Sequence, residues 1–159
     1  MAGGLSFVSL STGYFHTCGL TEAGAAYCWG GNFEGELGNG TTQGSATPVV
    51  VSGGLTFATI TAGQWATCAV TKAGLGYCWG YNGYGQLGNA AAPLTLAPNP
   101  RALPVSGGLT FVSVSTGYLH TCGITTQGAA YCWGDNSEGE LGDGSTMIQP
   151  TPVPVFERP

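Results

Sequence analysis

The stretch HTCGLTEAGAAYCWG at residues 16–30 decides the fold, because it joins two apolar segments through a glycine turn and then recurs. Close variants stand at residues 66–80 and 120–134, inside longer copies that begin at Gly3, Gly53 and Gly107. A period of about 50 residues is typical of propeller blades and solenoid repeats. We therefore interpret residues 1–159 as a single repeat domain, with repeats at approximately 3–52, 53–106 and 107–156.

Each copy predicts four short strands. FVSLST at residues 7–12 alternates apolar and small polar residues, which is the period-two pattern of a strand. HTCGL and AAYCWG flank TEAG, in which Gly24 supplies the positive φ of a tight hairpin. The last strand is TPVVVS, RALPVS or TPVPVF, and its proline suits a sheet edge. The sequence thus predicts an all-β fold of three four-stranded antiparallel β-propeller blades.

The composition excludes several classes of partner. Twenty-nine glycines argue against long helices, because glycine destabilises a helix interior by about 1 kcal/mol. Three basic residues against eight acidic ones leave a net charge of -5, and nucleic-acid binding rests on Lys and Arg. No apolar run approaches the ~20 residues of a membrane span. We expect neither nucleic-acid nor membrane binding.

The six cysteines form three pairs with the same spacing. A three-residue loop, Glu22 to Gly24, places Thr21 opposite Ala25, and counting back from there places cysteine opposite cysteine. The pairs fall at non-hydrogen-bonded positions, where Cα atoms are ~4.5 Å apart, near the short end of the disulfide range. The predicted pairs are Cys18 and Cys28, Cys68 and Cys78, and Cys122 and Cys132.

The chemistry of these cysteines has three interpretations. A disulfide or a close thiol pair is favoured, with the redox state open. Zinc is disfavoured because Ala66 replaces the histidine of the other copies and the spacing matches no zinc pattern. A catalytic thiol needs an activating base, and a position repeated in every blade indicates architecture. The compartment stays undetermined, with an extracellular or cell-surface location if the pairs are oxidised.

Other recurring residues also favour a structural role. Trp29, Trp79 and Trp133 are expected to fill the space between blades rather than to stack on a ligand. We expect His16 and His120 to be buried with hydrogen-bonded nitrogens, because no acid stands in fixed relation to both. The acidic stretch DNSEGELGDG at residues 135–144 does not meet the calcium-loop pattern. We predict no catalytic residue, metal or cofactor.

The repeat resembles the regulator of chromosome condensation repeat family. The resemblance rests on the pattern G-x-x-H-T-C-x-[LIV]-[TS]-x-x-G-x-x-Y-C-W-G-x-N-x-x-G-x-L-G, which recurs along essentially the whole chain. It implies a β-propeller, usually seven-bladed, with each blade a four-stranded antiparallel sheet. The chain departs from the family in having three copies and in having Ala66 where the pattern has histidine.

The connection between the first two strands of each copy carries bulky residues that differ between copies. In the family that the chain resembles, this connection opens onto a face that partners use. Rigid aromatic residues are good interface anchors. The predicted partner-binding residues are Tyr14, Phe15, Gln64, Trp65, Tyr118 and Leu119.

Three blades alone leave two apolar faces open, and such faces drive association. We expect two chains to join head to tail into a six-bladed ring, with a two-fold symmetry axis that coincides with the central axis of the ring. The predicted function is a non-enzymatic scaffold that binds itself and another protein. The alternative, supported by the similarity of the first and third copies, is a structural or self-assembling array, natural or engineered, with no ligand.

Overall fold

The computed structural model describes residues 4–92 and 94–156, and these form β-strands joined by turns and loops. The expected start of the first repeat at Gly3 lies outside this part, and the repeat boundaries stay a prediction. Among the described residues there is no helix that is long and apolar enough to span a membrane. The twelve strands are β1 (Phe7–Thr12), β2 (His16–Thr21), β3 (Ala26–Gly30), β4 (Ser45–Val50), β5 (Phe57–Ala62), β6 (Ala66–Thr71), β7 (Gly76–Gly80), β8 (Asn99–Pro104), β9 (Phe111–Thr116), β10 (His120–Thr125), β11 (Ala130–Gly134) and β12 (Gln149–Pro154).

The strands form three four-stranded antiparallel sheets, each in simple chain order: β1–β4, β5–β8 and β9–β12. We call these sheets the first, second and third blades. The proline-containing strand lies at the edge of each sheet, as predicted. The predicted glycine turn is also confirmed, since Gly24 has a φ of 85° and Thr21 donates its N–H to Ala25. The all-β, three-blade prediction is confirmed.

The cysteine register is the one predicted from the turn. Cys18 pairs with Cys28, and the equivalent residues pair in the other two blades. The Cα atoms of the three pairs are 4.1, 4.1 and 4.0 Å apart, and each pair is a disulfide. A sulfur atom held in a disulfide is neither a zinc ligand nor a nucleophile. The structure therefore decides in favour of the disulfide interpretation.

The two faces of each blade have different packing roles, because side chains alternate along a strand. The disulfide face of the first blade, with Leu20, packs against the face of the second blade that carries Phe57 and Trp79. The same arrangement recurs between the second and third blades, where Cys68 and Val70 meet Phe111 and Trp133. Each blade thus presents its disulfide to the blade that follows and its tryptophan to the blade that precedes.

A hydrogen-bond network crosses the first interface. The backbone carbonyl of Glu36 in the first blade accepts from the indole of Trp79 at 2.8 Å and from the hydroxyl of Thr67 at 2.8 Å. Since Thr67 uses its proton there, its oxygen accepts from His16 Nε2 at 2.7 Å. His16 crosses from the first blade to the second, so three side chains and one carbonyl join the two sheets.

The second interface repeats the two donors but not the histidine. Trp133 and Thr121 donate to the carbonyl of Gln86, each at 3.0 Å, while Ala66 stands at the histidine position. The expectation for both histidines is partly wrong. His16 is buried, but its Nδ1 has no partner, and His120 is only half-buried because no described blade packs over it.

The loop between the last two strands of each blade is organised by an asparagine. In the first blade Asn32 is buried, and its Oδ1 accepts from the N–H of Leu37 at 2.9 Å. Its Nδ2 donates to the carbonyls of Thr41 and Gln43, both at 2.9 Å. Asn82 and Asn136 accept from the equivalent leucine N–H groups. The asparagine side chain thus satisfies backbone groups of the loop that have no strand partner to hydrogen-bond with.

The interface histidine makes stability depend on pH. Burial lowers the pKa of His16 from 6.5 to about 4. Between these values the unfolded chain binds a proton that the folded chain does not, so the free energy of unfolding falls as the pH falls, by up to about 3 kcal/mol. We expect His16→Ala, which installs the residue of the second copy, to flatten this slope in denaturant titrations from pH 7 to pH 4.

The control is His120→Ala, which removes the half-buried histidine of the third copy and should keep the slope. Burial raises the pKa of Glu36, which acts with the opposite sign, so the comparison is between variants at each pH. Equal slopes for His16→Ala and the parent chain would contradict the assignment.

Candidate functional site

The connections between the first two strands of the blades lie side by side. We call the surface formed by residues 13–15, 63–65 and 117–119 the connection face. Tyr14 donates its N–H to the carbonyl of Gly63, and Gln64 donates to Gly117, both at 3.3 Å. Each connection is therefore held to the next by the backbone, and the side chains are left free to vary.

A second set of backbone bonds ties this face to the loop that follows the tryptophan. Tyr81 donates its N–H to the carbonyl of Trp65 at 2.8 Å, and the other two blades have the same bond. Gly80, with a φ of 107°, passes directly beneath that carbonyl, and a Cβ there would lie 2.5 Å from the oxygen. The glycine of the C-W-G motif is therefore required for the close approach.

The structure places all six residues predicted for partner binding on the connection face. Tyr14, Phe15 and Tyr118 are 67%, 52% and 57% exposed, and the other three are half-buried. Phe15 lies between Tyr14, at a ring-centroid distance of 4.5 Å, and Trp65, at 6.0 Å. A shallow depression of about 330 Å³ links Tyr14 to Gln64 and Tyr118. The predicted residues thus lie on one side of all three blades, three of them exposed and three half-buried, and their role in binding stays a prediction.

A deeper pocket of about 350 Å³ opens beside this surface. It combines three of the predicted residues with four that the sequence analysis missed. We call it the aromatic pocket, and its lining residues are Glu34, Trp65, Tyr81, Tyr84, Leu96, Tyr118 and Leu119. All three blades contribute to it, so no single repeat contains the site.

Two of the residues that the sequence analysis missed also differ between copies, and this difference is the signal that identified the predicted residues. The position after C-W-G is Gly31, Tyr81 or Asp135 in the three copies, and position 84 is tyrosine where the other copies have glutamate. Comparing copies at these positions would have singled out Tyr81 and Tyr84. Leu96 belongs to the longer segment found only in the second copy. The contribution of Glu34 from a neighbouring blade has no signal in the sequence.

The pocket is lined mainly by aromatic side chains, with one carboxyl group in its wall. Burial raises the pKa of Glu34, and its Oε2 is buried without a hydrogen-bond partner. Burial also raises the pKa of Tyr81, with smaller contributions from Tyr84 and Glu34. Across residues 4–92 and 94–156 no three His, Cys, Asp or Glu residues are grouped to hold a metal ion. The pocket has the chemistry of a binding site, since aromatic walls with few polar groups are typical of such sites.

Four-stranded antiparallel sheets packed face to face, with their connections gathered on one side, define the chain as part of a β-propeller. The chain belongs to the regulator of chromosome condensation (RCC1) repeat family. One description of that repeat matches residues 23–70, 74–124 and 127–158, and a second matches residues 7–36 and 111–140. The first match begins in one blade and ends in the next, so the family repeat spans the interface.

Curated relatives contain similar repeats within much longer chains. The chain is 33% identical over 139 residues to human E3 ubiquitin-protein ligase HERC2, covering 87% of this chain and 3% of that protein. It is 31% identical over 154 residues to human probable E3 ubiquitin-protein ligase HERC4, covering 96% of this chain and 15% of that protein. The chain therefore spans only a small part of the relatives it matches.

Solved structures share the fold. The structure of Kap60 bound to yeast RCC1 (Prp20) matches with a TM-score of 0.83 at 19% identity, covering 95% of this chain and 37% of that chain. The structure of Prp20p from Saccharomyces cerevisiae, whose title refers to its binding of Gsp1p and histones, gives 0.80 at 18% identity, covering 95% of this chain and 38% of that chain. At this identity the likeness establishes the propeller fold.

The glycine beneath the connection face provides a test of how the site is positioned. We expect Gly80→Ala to destabilise the chain by more than the ~1–2 kcal/mol of a strained positive φ, because its Cβ displaces Trp65. Gly53→Ala is the matched control, since Gly53 has a φ of 102° and a Cβ added there would have no atom within 4 Å. Unfolding free energies measure the loss of stability, and the indole NMR signal of Trp65 reports its displacement. An equal loss of stability and an equal signal shift in the two variants would contradict the close approach of Gly80 to Trp65.

Proposed function

We propose that this chain is a non-catalytic propeller module that binds a protein partner through the connection face. The observation that supports it is the aromatic surface of the exposed Tyr14 and Phe15 and the half-buried Trp65, held on connections whose backbones are hydrogen-bonded to one another. Exposed large aromatic side chains that are already ordered anchor interfaces at low entropic cost.

The chemistry of the described residues supports binding rather than catalysis. The cysteines of the described part are all in disulfides, and His16 is buried at an interface away from the surface. Two of the solved structures with this fold concern protein binding: one is yeast RCC1 (Prp20) with Kap60, and the other is Prp20p, described with its binding properties to Gsp1p and histones. HERC2 and HERC4 are named as ligases, and the matched segment is a small part of each.

The connection face can be tested by binding. We expect the triple variant Tyr14→Ala, Trp65→Ala and Tyr118→Ala to lose the proteins that the parent chain retains from an extract, because the variant removes the aromatic anchors. Quantitative mass spectrometry of the retained proteins measures the loss, and circular dichroism verifies the fold.

Leu75→Ala is the control, because Leu75 is 47% exposed but precedes β7, at the opposite end of the strand from Gly80. Retention of the same proteins by the triple variant would overturn the proposal. A parent chain that retains nothing would favour the alternative of a structural array with no ligand.

A second candidate function, self-assembly, is supported by the end faces of the three-blade unit. In the first two blades Leu20 and Val70 are 2% exposed, whereas the equivalent Ile124 is 41% exposed. A Cβ on Gly38 or Gly88 would meet the tryptophan of the following blade, but one on Gly142 would meet only Val155. The third blade thus presents an uncovered copy of a surface that elsewhere accepts a blade.

The first blade presents the complementary surface. Its Trp29 is half-buried, whereas Trp79 and Trp133 are fully buried against the preceding blade. We propose that two chains join these surfaces head to tail, so that Trp29 of one chain covers the third blade of the other. A closed ring of this kind has two identical interfaces related by a two-fold axis.

Particle mass tests the ring. We expect multi-angle light scattering to give twice the 16.0 kDa of one chain. Ile124→Glu, which places a charge on the uncovered face, should give monomers, and Val112→Glu, on an exposed residue of β9, should not. A folded monomer for the parent chain would overturn ring closure and leave the connection-face proposal intact.

A further inference from the structure

The aromatic pocket has walls suited to one kind of ligand. Trp65, Tyr81, Tyr84 and Tyr118 place four aromatic rings around a space of about 350 Å³. The rings of Tyr81 and Tyr84 have centroids 6.4 Å apart and planes tilted by 55° relative to each other. The face of an aromatic ring is the negative end of its quadrupole and attracts cations.

The pocket also contains an acceptor without a donor. Among the described residues, Glu34 Oε2 is the only buried carboxylate oxygen that accepts no hydrogen bond. The neighbouring Glu36 differs, because its Oε2 accepts from the N–H of Glu34 at 2.9 Å. A buried unpaired acceptor is costly, so a ligand that donates to Glu34 would remove that cost.

Within the part of the chain that the structure describes, no basic side chain lines this pocket. Of the chain's basic residues within the described part, Lys72 lies in the turn after β6 and Arg101 lies beside Gly40, and neither lines the pocket. The net charge of -5 further favours a positively charged partner. The pocket is therefore complementary in charge to a cationic group supplied from outside.

We propose that the aromatic pocket binds the guanidinium group of an arginine side chain on the protein partner. The group is planar, stacks on aromatic faces and donates in a fork that matches a carboxylate. A lysine ammonium donates but does not stack, and a trimethylated ammonium has no N–H for Glu34. This inference rests on the proposed protein-binding function and specifies what part of the partner enters the face.

The pocket exists at only one place among the three blades. One blade earlier, Gly31 and Glu34 occupy the positions of Tyr81 and Tyr84, so the aromatic walls are missing. The repeats supply the framework three times, but tyrosines at the positions of Tyr81 and Tyr84 occur only in the second copy. One arginine per three-blade unit is the expected stoichiometry.

Short peptides test the inference on the intact chain. The probes are acetylated, amidated glycine–serine peptides that carry one arginine, citrulline, lysine or trimethyllysine. Titration is followed by the indole N–H signal of Trp65, assigned with Trp65→Phe. We expect the arginine peptide to bind at least about tenfold more tightly than citrulline, its neutral isostere, and more tightly than either lysine form.

A charge-matched pair of variants locates the site. Glu34→Gln keeps the shape of the side chain and should weaken arginine binding about tenfold. Glu138→Gln removes the same charge from the equivalent, exposed position of the third copy and should leave binding unchanged. Equal binding of arginine and citrulline, tighter binding of trimethyllysine, or no effect of Glu34→Gln would each overturn the inference.

These outcomes are separable from failure of the proposed function. The peptide comparison needs no variant that alters folding, so it holds even if Glu34→Gln is unstable. Partner loss in the triple connection-face variant without arginine binding would reject only the pocket inference. Arginine binding by the parent chain with partners retained by that triple variant would reject the proposed function, and with it the claim that a partner supplies the arginine, because Trp65 and Tyr118 also line the pocket. The selectivity of the pocket for arginine would still stand.

Discussion

The carbonyl of residue 36, and of its equivalent 86, is the acceptor on which the packing of the blades depends. It takes two hydrogen bonds from the next blade, one from an indole and one from a threonine hydroxyl. Because Trp79 and Trp133 are fully buried, an indole N–H without that carbonyl would be left unpaired in an apolar interface. The bond sets the angle and spacing at which one sheet meets the next, and the apolar contacts form around it.

The disulfides and the glycines follow from the same constraint. Each blade is thin and apolar on both faces, so its central hairpin must stay in register while neighbours pack on either side. The disulfide crosses the middle of that hairpin on the face turned to the following blade. Gly38 and Gly88 leave room for the tryptophan of the following blade, since a Cβ would lie 2.7 Å from its Nε1.

The residues that repeat in every copy and the residues that vary between copies therefore have different roles. The repeated residues build the interfaces, and backbone hydrogen bonds join each connection to the next. Side chains there are free to differ without cost to the fold, so function concentrates where the copies disagree. The aromatic pocket illustrates this, because three of its four rings come from the second copy, at positions where the other copies have different residues.

Much of the framework could be predicted from the chain alone. A strand period of two, a turn glycine and a threefold repeat were sufficient for the blades, the edge strands and the register of Cys18 with Cys28. The six predicted residues of the connection face followed from comparing copies, and Tyr81 and Tyr84 could have been found by the same comparison. The role of Asn32 was not, because its partners Leu37, Thr41 and Gln43 are set by how the loop folds back.

The sequence by itself determined the local geometry, because hairpin register and strand alternation depend on residues close together in the chain. Only the tertiary structure decided which groups meet across blades. His16 reaches Thr67, which lies 51 residues away, and Glu34 of the first blade joins rings from the second and third. Those contacts depend on the angle between packed sheets, and no local pattern encodes that angle. The stretch at residues 16–30 thus defines a blade, and the contact between blades defines the site.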